Sequence, residues 1–443
     1  MIKKLVAGLS VWVTASSGLL LGKAGSSNDL VFGNYSDYIS SDVAQELRKK
    51  YKLRVDLFDY DHLVKERFQK GIYDIAVVST SVLSELKSSG VAMKLDWSIL
   101  LKEEDNVGGS GNTSSEQKTS KDAVGLFTDI VQYMSKDLLD YGIPYFVQKL
   151  GFYYRGEKIK DLQEPVTFKT LIEKISNDNR FHSKNGKAQL GLIDDPRTVL
   201  SLARKVKGHE DVNPSDNEYK TSDSILNDYK TLITSGLSRN KLGENFLYMT
   251  PDSGPLVDAL SSGDIQGAFM YNGDGLFAAE GGNAELDMEG DKFHYVKLSE
   301  NIFFLDFLTF SAKMTEHKKT NAYKMAKELL FITNKNKDNP FKEKSKLSSE
   351  SEGDDGKEYE EMAVRNFNDV LYTPTLKSVY EKLKNCYFKD EDEKKSINAT
   401  TKHEILKVEK SENHSIDKEF EKQLDAQKKS DMLIAYSNFK LLV

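Results

Sequence analysis

From Asp29 onward the chain alternates short apolar runs with amphipathic stretches, and this switching between periods of two and of 3.6 leaves few folds open to it. Residues 30–35 read as a strand, 42–50 as a helix with Ser41 as its N-cap, and 54–59 as a second strand. Residues 61–70 make a helix closed by Gly71. A continuous apolar run over 73–80 suits a parallel strand buried on both faces, and a helix over 82–89 is closed by Gly90. The unit is βαβαβα. In open parallel sheets, ligands bind in the crevice beyond the carboxyl ends of the strands, and residues 34–38 and 79–81 lie at two such ends.

The alternation continues downstream. Residues 149–155, 189–193, 264–271 and 303–310 read as buried strands, with helices over 196–206, 256–261 and 322–331. Three polar stretches, 103–122, 334–361 and 389 to about 429, read as solvated loops or tails. A chain of 443 residues allows two or three domains, and no internal repeat is visible.

Three segments set an aromatic ring beside an aspartate where an apolar run gives way to a loop: Tyr35-Ser36-Asp37-Tyr38, Tyr271-Asn272-Gly273-Asp274 and Phe303-Phe304-Leu305-Asp306. That chemistry suits an organic polycation. Ammonium groups need carboxylates, the methylenes between them need apolar walls, and ring faces add about 0.5–2 kcal/mol of cation–π attraction. Each segment alone also fits a turn aspartate beside a core ring; recurrence at strand ends is what joins them. The net charge of −7 argues against nucleic acid as a partner.

The N-terminus carries Lys3 and Lys4, then a mostly apolar stretch over 5–21, then Gly22-Lys23-Ala24, the pattern of an export signal. Uncleaved, it would be a membrane anchor near the lower length limit for a span. No cysteine follows it, and the sole cysteine, Cys386, excludes an intrachain disulfide and a thiolate-rich metal centre. Seven histidines are scattered without metal-ligand spacing, and neither a nucleophile elbow nor a P-loop occurs. Gly273 to Ala278 matches the dinucleotide fingerprint G-x-G-x-x-A, but far from the first strand and with an aspartate where a pyrophosphate would lie. Neither cofactor nor metal is expected.

The order of these motifs resembles the spermidine/putrescine-binding proteins, the extracellular receptors of bacterial polyamine ABC importers. Asn34-Tyr35-Ser36-Asp37-Tyr38-Ile39 is similar to that family's N-W-[ST]-[DE]-Y-[IV], and Tyr73-Asp74-Ile75-Ala76-Val77-Val78-Ser79 to its Y-D-[LV]-V-V-P-S. Ile143-Pro144-Tyr145, Asp194-Asp195-Pro196-Arg197, Tyr271-Asn272-Gly273-Asp274, Ile302-Phe303-Phe304-Leu305-Asp306 and Tyr372-Thr373-Pro374 resemble later motifs in the family's order, over roughly residues 30–388.

The resemblance implies an α/β, two-lobed periplasmic-binding-protein fold with two crossover strands and a hinge. Lobe 1 would comprise 29–148 with 272–310, lobe 2 149–271 with 311–388, and 389–443 would be a polar tail with a short C-terminal helix. It further implies Tyr35 and Tyr38 as aromatic walls, Ser36 and Ser79 as hydrogen-bonding groups, Asp37, Asp195, Asp274 and Asp306 as amine acceptors, and Tyr271 and Phe304 stacking on methylenes. Asp195, followed by Pro196 at a helix start, is equally an N-cap. Thr198 stands where many members have glutamate.

The expectation is a non-catalytic, monomeric receptor at the outer face of the membrane, delivering a polyamine to the permease and ATPase of an ABC importer. Two rivals stay open: a binding protein of this fold with another cargo, and a surface adhesion or interaction protein.

Overall fold

A computed structural model describes residues 29–102, 118–215, 217–237, 247–284, 286, 292–332, 361–388, 397–412 and 414–443. The export signal and the stretch 334–360 lie outside the described residues, as does most of the insertion at 103–122. Among the described residues no helix is long and apolar enough to cross a membrane.

Among the described residues ten strands form one sheet. They are β1 (Leu30–Tyr35), β2 (Leu53–Phe58), β3 (Ile75–Ser79), β4 (Gly142–Arg155), β5 (Leu190–Ile193), β6 (Leu247–Thr250), β7 (Gly267–Tyr271), β8 (Phe293–Tyr295), β9 (Phe303–Phe310) and β10 (Thr373–Pro374). The order is β2-β1-β3-β9-β4-β7-β5-β6, with β8 and β10 also paired to β4. β1 pairs in parallel with β2 and β3, as β5 does with β6 and β7, while β9 runs antiparallel to β3 and β4.

β4 joins two half-sheets. Its first part, Gly142 to Lys149, pairs with β9, and Leu150 to Tyr154 pair with β7. Every residue of β4 but Arg155 is buried, as a strand covered on both faces requires. Two hydrophobic cores follow from the division: one around Phe32, Val77, Tyr145 and Phe307, the other around Phe152, Leu171, Leu192, Leu202 and Phe269. This is the two-lobed α/β architecture expected from the sequence.

The allocation of the later segments to lobes differs from that expectation. The helix Glu316–Leu330, assigned to lobe 2, packs on the helix Ser41–Tyr51 and on Trp97–Leu100 of the first lobe, and β10 pairs with the first part of β4. β8, assigned to lobe 1, pairs instead with Tyr153 to Arg155 in the second half-sheet. The supposed polar tail is folded too. Helix Ala426–Lys440 buries Met432, Ala435, Tyr436 and Phe439 in the second core, against the helix Ser222–Thr234. Sequence proximity does not decide these placements; each amphipathic face goes where an uncovered sheet or helix face remains. On a finer scale, Ser40 rather than Ser41 caps the first helix, its hydroxyl accepting from the Val43 amide.

Before reaching that last helix, the chain is fastened across the hinge. Lys149 of β4 donates to the carbonyls of Glu404 and Lys407, each at 2.9 Å, at the C-terminal end of the helix Ala399–Leu406. Burial pushes the Lys149 ammonium down to about 8, and those two carbonyls are what keep its protons bonded. Asn272 and Thr373 hold the same helix end through the carbonyls of Ile405 and Leu406. Further on, buried Glu419 accepts from the backbone amides of Asn301 and Ser411, and Phe420 forms a bridge with Phe303 at the start of β9.

Candidate functional site

The carboxyl ends of the parallel strands converge on a cavity of about 760 Å³ between the lobes. β1 delivers Tyr35, Ser36 and Tyr38. β2 delivers Asp59 and Asp61, β3 delivers Ser79, β5 delivers Asp195, and β7 delivers Tyr271. β9 runs the other way, so its first residues reach the same edge, and the register pairs Asp306 with Ser79. Sheet topology thus gathers residues more than 270 positions apart into one wall.

On the first lobe, Asp306 accepts from the Tyr38 hydroxyl at 2.6 Å and from Gln148 Nε2 at 2.8 Å. It is 7% exposed. Burial pushes its carboxyl up to about 7; the Asp61 carboxylate adds to this, and the Tyr38 and Gln148 donors oppose it. Asp61 accepts from both the amide and the hydroxyl of Ser79, at 2.8 and 2.7 Å. On the second lobe, Asp195 caps the helix Pro196–Lys207 through the Thr198 amide at 2.7 Å, and it also lines the cavity, so both of its expected roles coincide. Burial raises its carboxyl, against that amide. Thr198 shares a hydrogen bond of 2.9 Å with the Tyr271 hydroxyl. The Tyr271 and Phe304 rings meet edge to face at 5.0 Å, and the Tyr35 ring meets Tyr38 and Phe58 in the same way.

Eight of the ten site residues expected from the sequence therefore border this cavity: Tyr35, Ser36, Tyr38, Ser79, Asp195, Tyr271, Phe304 and Asp306. Asp37 and Asp274 do not. Asp37 takes a left-handed backbone, φ 54°, and turns its exposed side chain toward Gly254 at the start of the helix Ser253–Ser262, with Asp252 and Asp258 nearby. Asp274 is buried one layer behind the wall, where it accepts from the Tyr372 hydroxyl while its Oδ2 has no hydrogen-bond partner among the described residues. Burial pushes it up to about 7 as well, against the Tyr372 hydroxyl. The flanking glycines do not open a path for a cation either. A Cβ on Gly273 would lie 2.5 Å from the Tyr372 ring, and one on Gly275 2.3 Å from the Tyr153 ring, so both positions are bare to admit aromatic rings.

Four carboxylates of the wall, Asp59, Asp61, Asp252 and Glu421, lie outside both the site residues expected from the sequence and the motifs read in it. Asp61 was detectable, since β2 ends in a loop at the same edge as β1 and β3. Glu421 was not, because it arrives from the C-terminal segment, together with Phe420, Lys422, Lys429, Tyr436 and Lys440.

Charge in the wall is one-sided once its own pairs are removed. Seven carboxylates and four cationic side chains border the cavity, and each cation already has a partner: Arg197 with Glu421, Lys422 with Asp417, Lys429 with Glu85, and Lys440 with Asp194. Asp61, Asp195 and Asp306 are met only by neutral donors among the described residues. Among the described residues no group of three or more His, Cys, Asp or Glu is arranged to hold a metal ion.

Two α/β lobes, a strand running through both, and a cavity at the carboxyl ends of the strands define a protein of the periplasmic-binding-protein fold. The chain belongs to the MG045 family of hypothetical lipoproteins, whose model matches residues 2–439. Among solved structures it is similar to the spermidine/putrescine ABC transporter substrate-binding protein PotD of Streptococcus pneumoniae, at 13% identity and TM-score 0.55, covering 94% of this chain and 99% of that one. The TpPotD lipoprotein of Treponema pallidum is similar at 12% identity and TM-score 0.56, over 93% and 98% of the two chains. A eukaryotic thiaminase-I, an enzyme, shares the fold at 11% identity and TM-score 0.51, over 94% and 100%. The putrescine-binding periplasmic protein SpuD of Pseudomonas aeruginosa is 22% identical over 276 residues, 60% of this chain, and the chain spans 65% of that relative's length.

Proposed function

We propose that the chain is a non-catalytic receptor that binds an aliphatic polyamine, spermidine or putrescine, in the interlobar cavity and delivers it to the permease and ATPase of an ABC importer. The observation that carries this reading is the set Asp61, Asp195 and Asp306, three carboxylates facing one cavity with no cationic side chain within ion-pair distance among the described residues, between the rings of Tyr35, Tyr271 and Phe304. Carboxylates withdrawn from water without a counter-ion are costly, and a ligand that brings the missing charge on a flexible apolar stem relieves that cost. The names of the similar proteins agree with this cargo. Of the ten residues first assigned to the site, the eight in the wall are retained, and Asp61 joins them.

A catalytic reading is disfavoured because the Ser79 hydroxyl donates to a carboxylate, Asp61, and among the described residues no imidazole is hydrogen-bonded to it, although His62 also borders the cavity. A carboxylate-bearing cargo is disfavoured because Arg197 is held by Ser201, the Val212 carbonyl and Asn213. We further propose that the protein is a monomer exported to the outer face of the membrane. Residues 1–28 contain no cysteine for lipid attachment, so anchoring there would fall to the apolar segment itself.

A thermal-shift panel tests the reading on the chain from Asp29 onward. Putrescine or spermidine should raise the melting temperature, because a ligand bound only by the folded state stabilises it by mass action. Neutral sugars and amino acids should not, and a panel in which no polyamine shifts the transition would overturn the proposal in favour of an adhesion role.

A further inference from the structure

The C-terminal segment contributes more than a covering for the second lobe. Phe420 and Glu421 are drawn into the cavity wall by three fastenings: the bridge between Phe420 and Phe303, the hydrogen bond from the Glu421 amide to the Phe303 carbonyl, and the bond from Asn213 to the Phe420 carbonyl. The Glu421 side chain is 12% exposed and points between Ser201 and Arg197. Ser201 donates to Oε1 at 2.5 Å, whereas the guanidinium stays 3.8 Å away, its Nη1 and Nη2 bonded to Ser201, Val212 and Asn213. Oε2 accepts from no donor among the described residues. Burial pushes this carboxyl up to about 7, eased by Arg197 and aggravated by the carboxylate of Asp195, which borders the same end of the cavity.

Resting on the polyamine reading, we propose that Glu421 is a ligand-binding residue and that, with Asp195, it forms the subsite for the second ammonium group, opposite the one made by Asp306, Tyr38 and Gln148. The cavity has a carboxylate cluster on each lobe with rings between, which is the pattern of a ligand charged at both ends. On the second lobe Asp195 is already committed to capping a helix, and Thr198 offers only a hydroxyl that Tyr271 occupies. Glu421 adds a second carboxylate there, with Oε2 free of donors among the described residues, as Oδ2 of Asp195 is. The segment that carries it is thereby part of the specificity of the site, setting preference for a diamine over a monoamine.

Calorimetric titration of the full chain with 1,4-diaminobutane and with butylamine tests this. Glu421→Gln should weaken the diamine about tenfold or more while moving butylamine by no more than about twofold, so that the preference for two charges shrinks. Ser201→Ala, which frees the Glu421 carboxylate from its holder, should show a smaller loss of the same diamine-only kind. If Glu421→Gln binds diaminobutane as the unaltered chain does, or loses both amines equally, the assignment is wrong although the polyamine reading stands. If the unaltered chain binds neither amine, both fall together.

Discussion

Asp306→Asn separates the cost of the site from its use. The carboxyl of Asp306 is held near 7 instead of its ordinary 3.8, with burial as the main cause. A displacement of about 3 pKa units corresponds to about 4 kcal/mol at most between ionising this group in the folded chain and in the unfolded one. The sign follows from proton counting: the folded state holds its proton more tightly, so stability is lost as pH rises from the ordinary carboxylate range through 7. Asparagine keeps the size and the acceptor for Tyr38 and removes the charge, and its amide can donate to Gln148 Oε1, which is buried without a partner. Denaturant unfolding of the ligand-free protein should show Asp306→Asn more stable than the unaltered chain by up to about 4 kcal/mol near pH 8, with the gap closing near pH 4. Putrescine affinity, measured by calorimetry near pH 8, should move the other way and fall by about 2–5 kcal/mol, because one ammonium group loses its charged partner in a desolvated place. A variant that is less stable than the unaltered chain near pH 8, or one that binds putrescine within about threefold of it, would refute the reasoning.

Putrescine affinity should rise between about pH 6 and about pH 8, since Asp306 and Glu421 must shed protons to receive ammonium groups; calorimetry in buffers of different ionisation enthalpy should register proton release, and uptake would contradict it. Asp274→Asn should leave putrescine affinity within about threefold, because the carboxylate lies behind Tyr372 rather than in the wall; a loss matching that of Asp306→Asn would return Asp274 to the site. Gly275→Ala should destabilise the protein by about 1–3 kcal/mol or more in denaturant unfolding, since the new methyl lands on the buried Tyr153 ring; a neutral result would mean that the ring has room to move. Phe439→Ala should cost about 3–5 kcal/mol, as Phe439 is fully buried and stacked on Tyr229 at 5.3 Å; a surface-like cost below about 0.5 kcal/mol would return residues 426–440 to the status of a loose tail.

How much of this was legible in the sequence depended on the range of the interactions involved. β1 and β9 coincide with the apolar runs 30–35 and 303–310, because a strand covered on both faces writes itself as consecutive apolar residues. The eight wall residues were legible for a related reason: the parallel-sheet rule fixes where strand ends point, whatever the partners. Asp37 and Asp274 misled because a carboxylate beside an aromatic ring at a strand end looks alike whether it faces a cavity, a neighbouring helix or a second layer. Only the left-handed turn at Asp37 and the approach of Tyr372 to Asp274 decide, and both depend on distant packing. A C-terminal helix was expected, and its docking in the second core had a signal as well, since Met432, Ala435, Tyr436 and Phe439 recur at helical spacing within polar surroundings. Glu421 had none. Its place is set by contacts with Phe303 and Ser201, more than a hundred positions away in the chain, and no local pattern carries that information.

The most direct test of the account is a crystal structure of the protein grown with putrescine. The account predicts one ligand in the interlobar cavity, its first ammonium nitrogen within hydrogen-bond distance of Asp306, its methylenes between the rings of Tyr35, Tyr271 and Phe304, and its second ammonium against Asp195 and Glu421. A cavity holding an anion or a neutral solute while putrescine is absent, or putrescine seated outside the wall formed by Asp61 and Asp306, would contradict it.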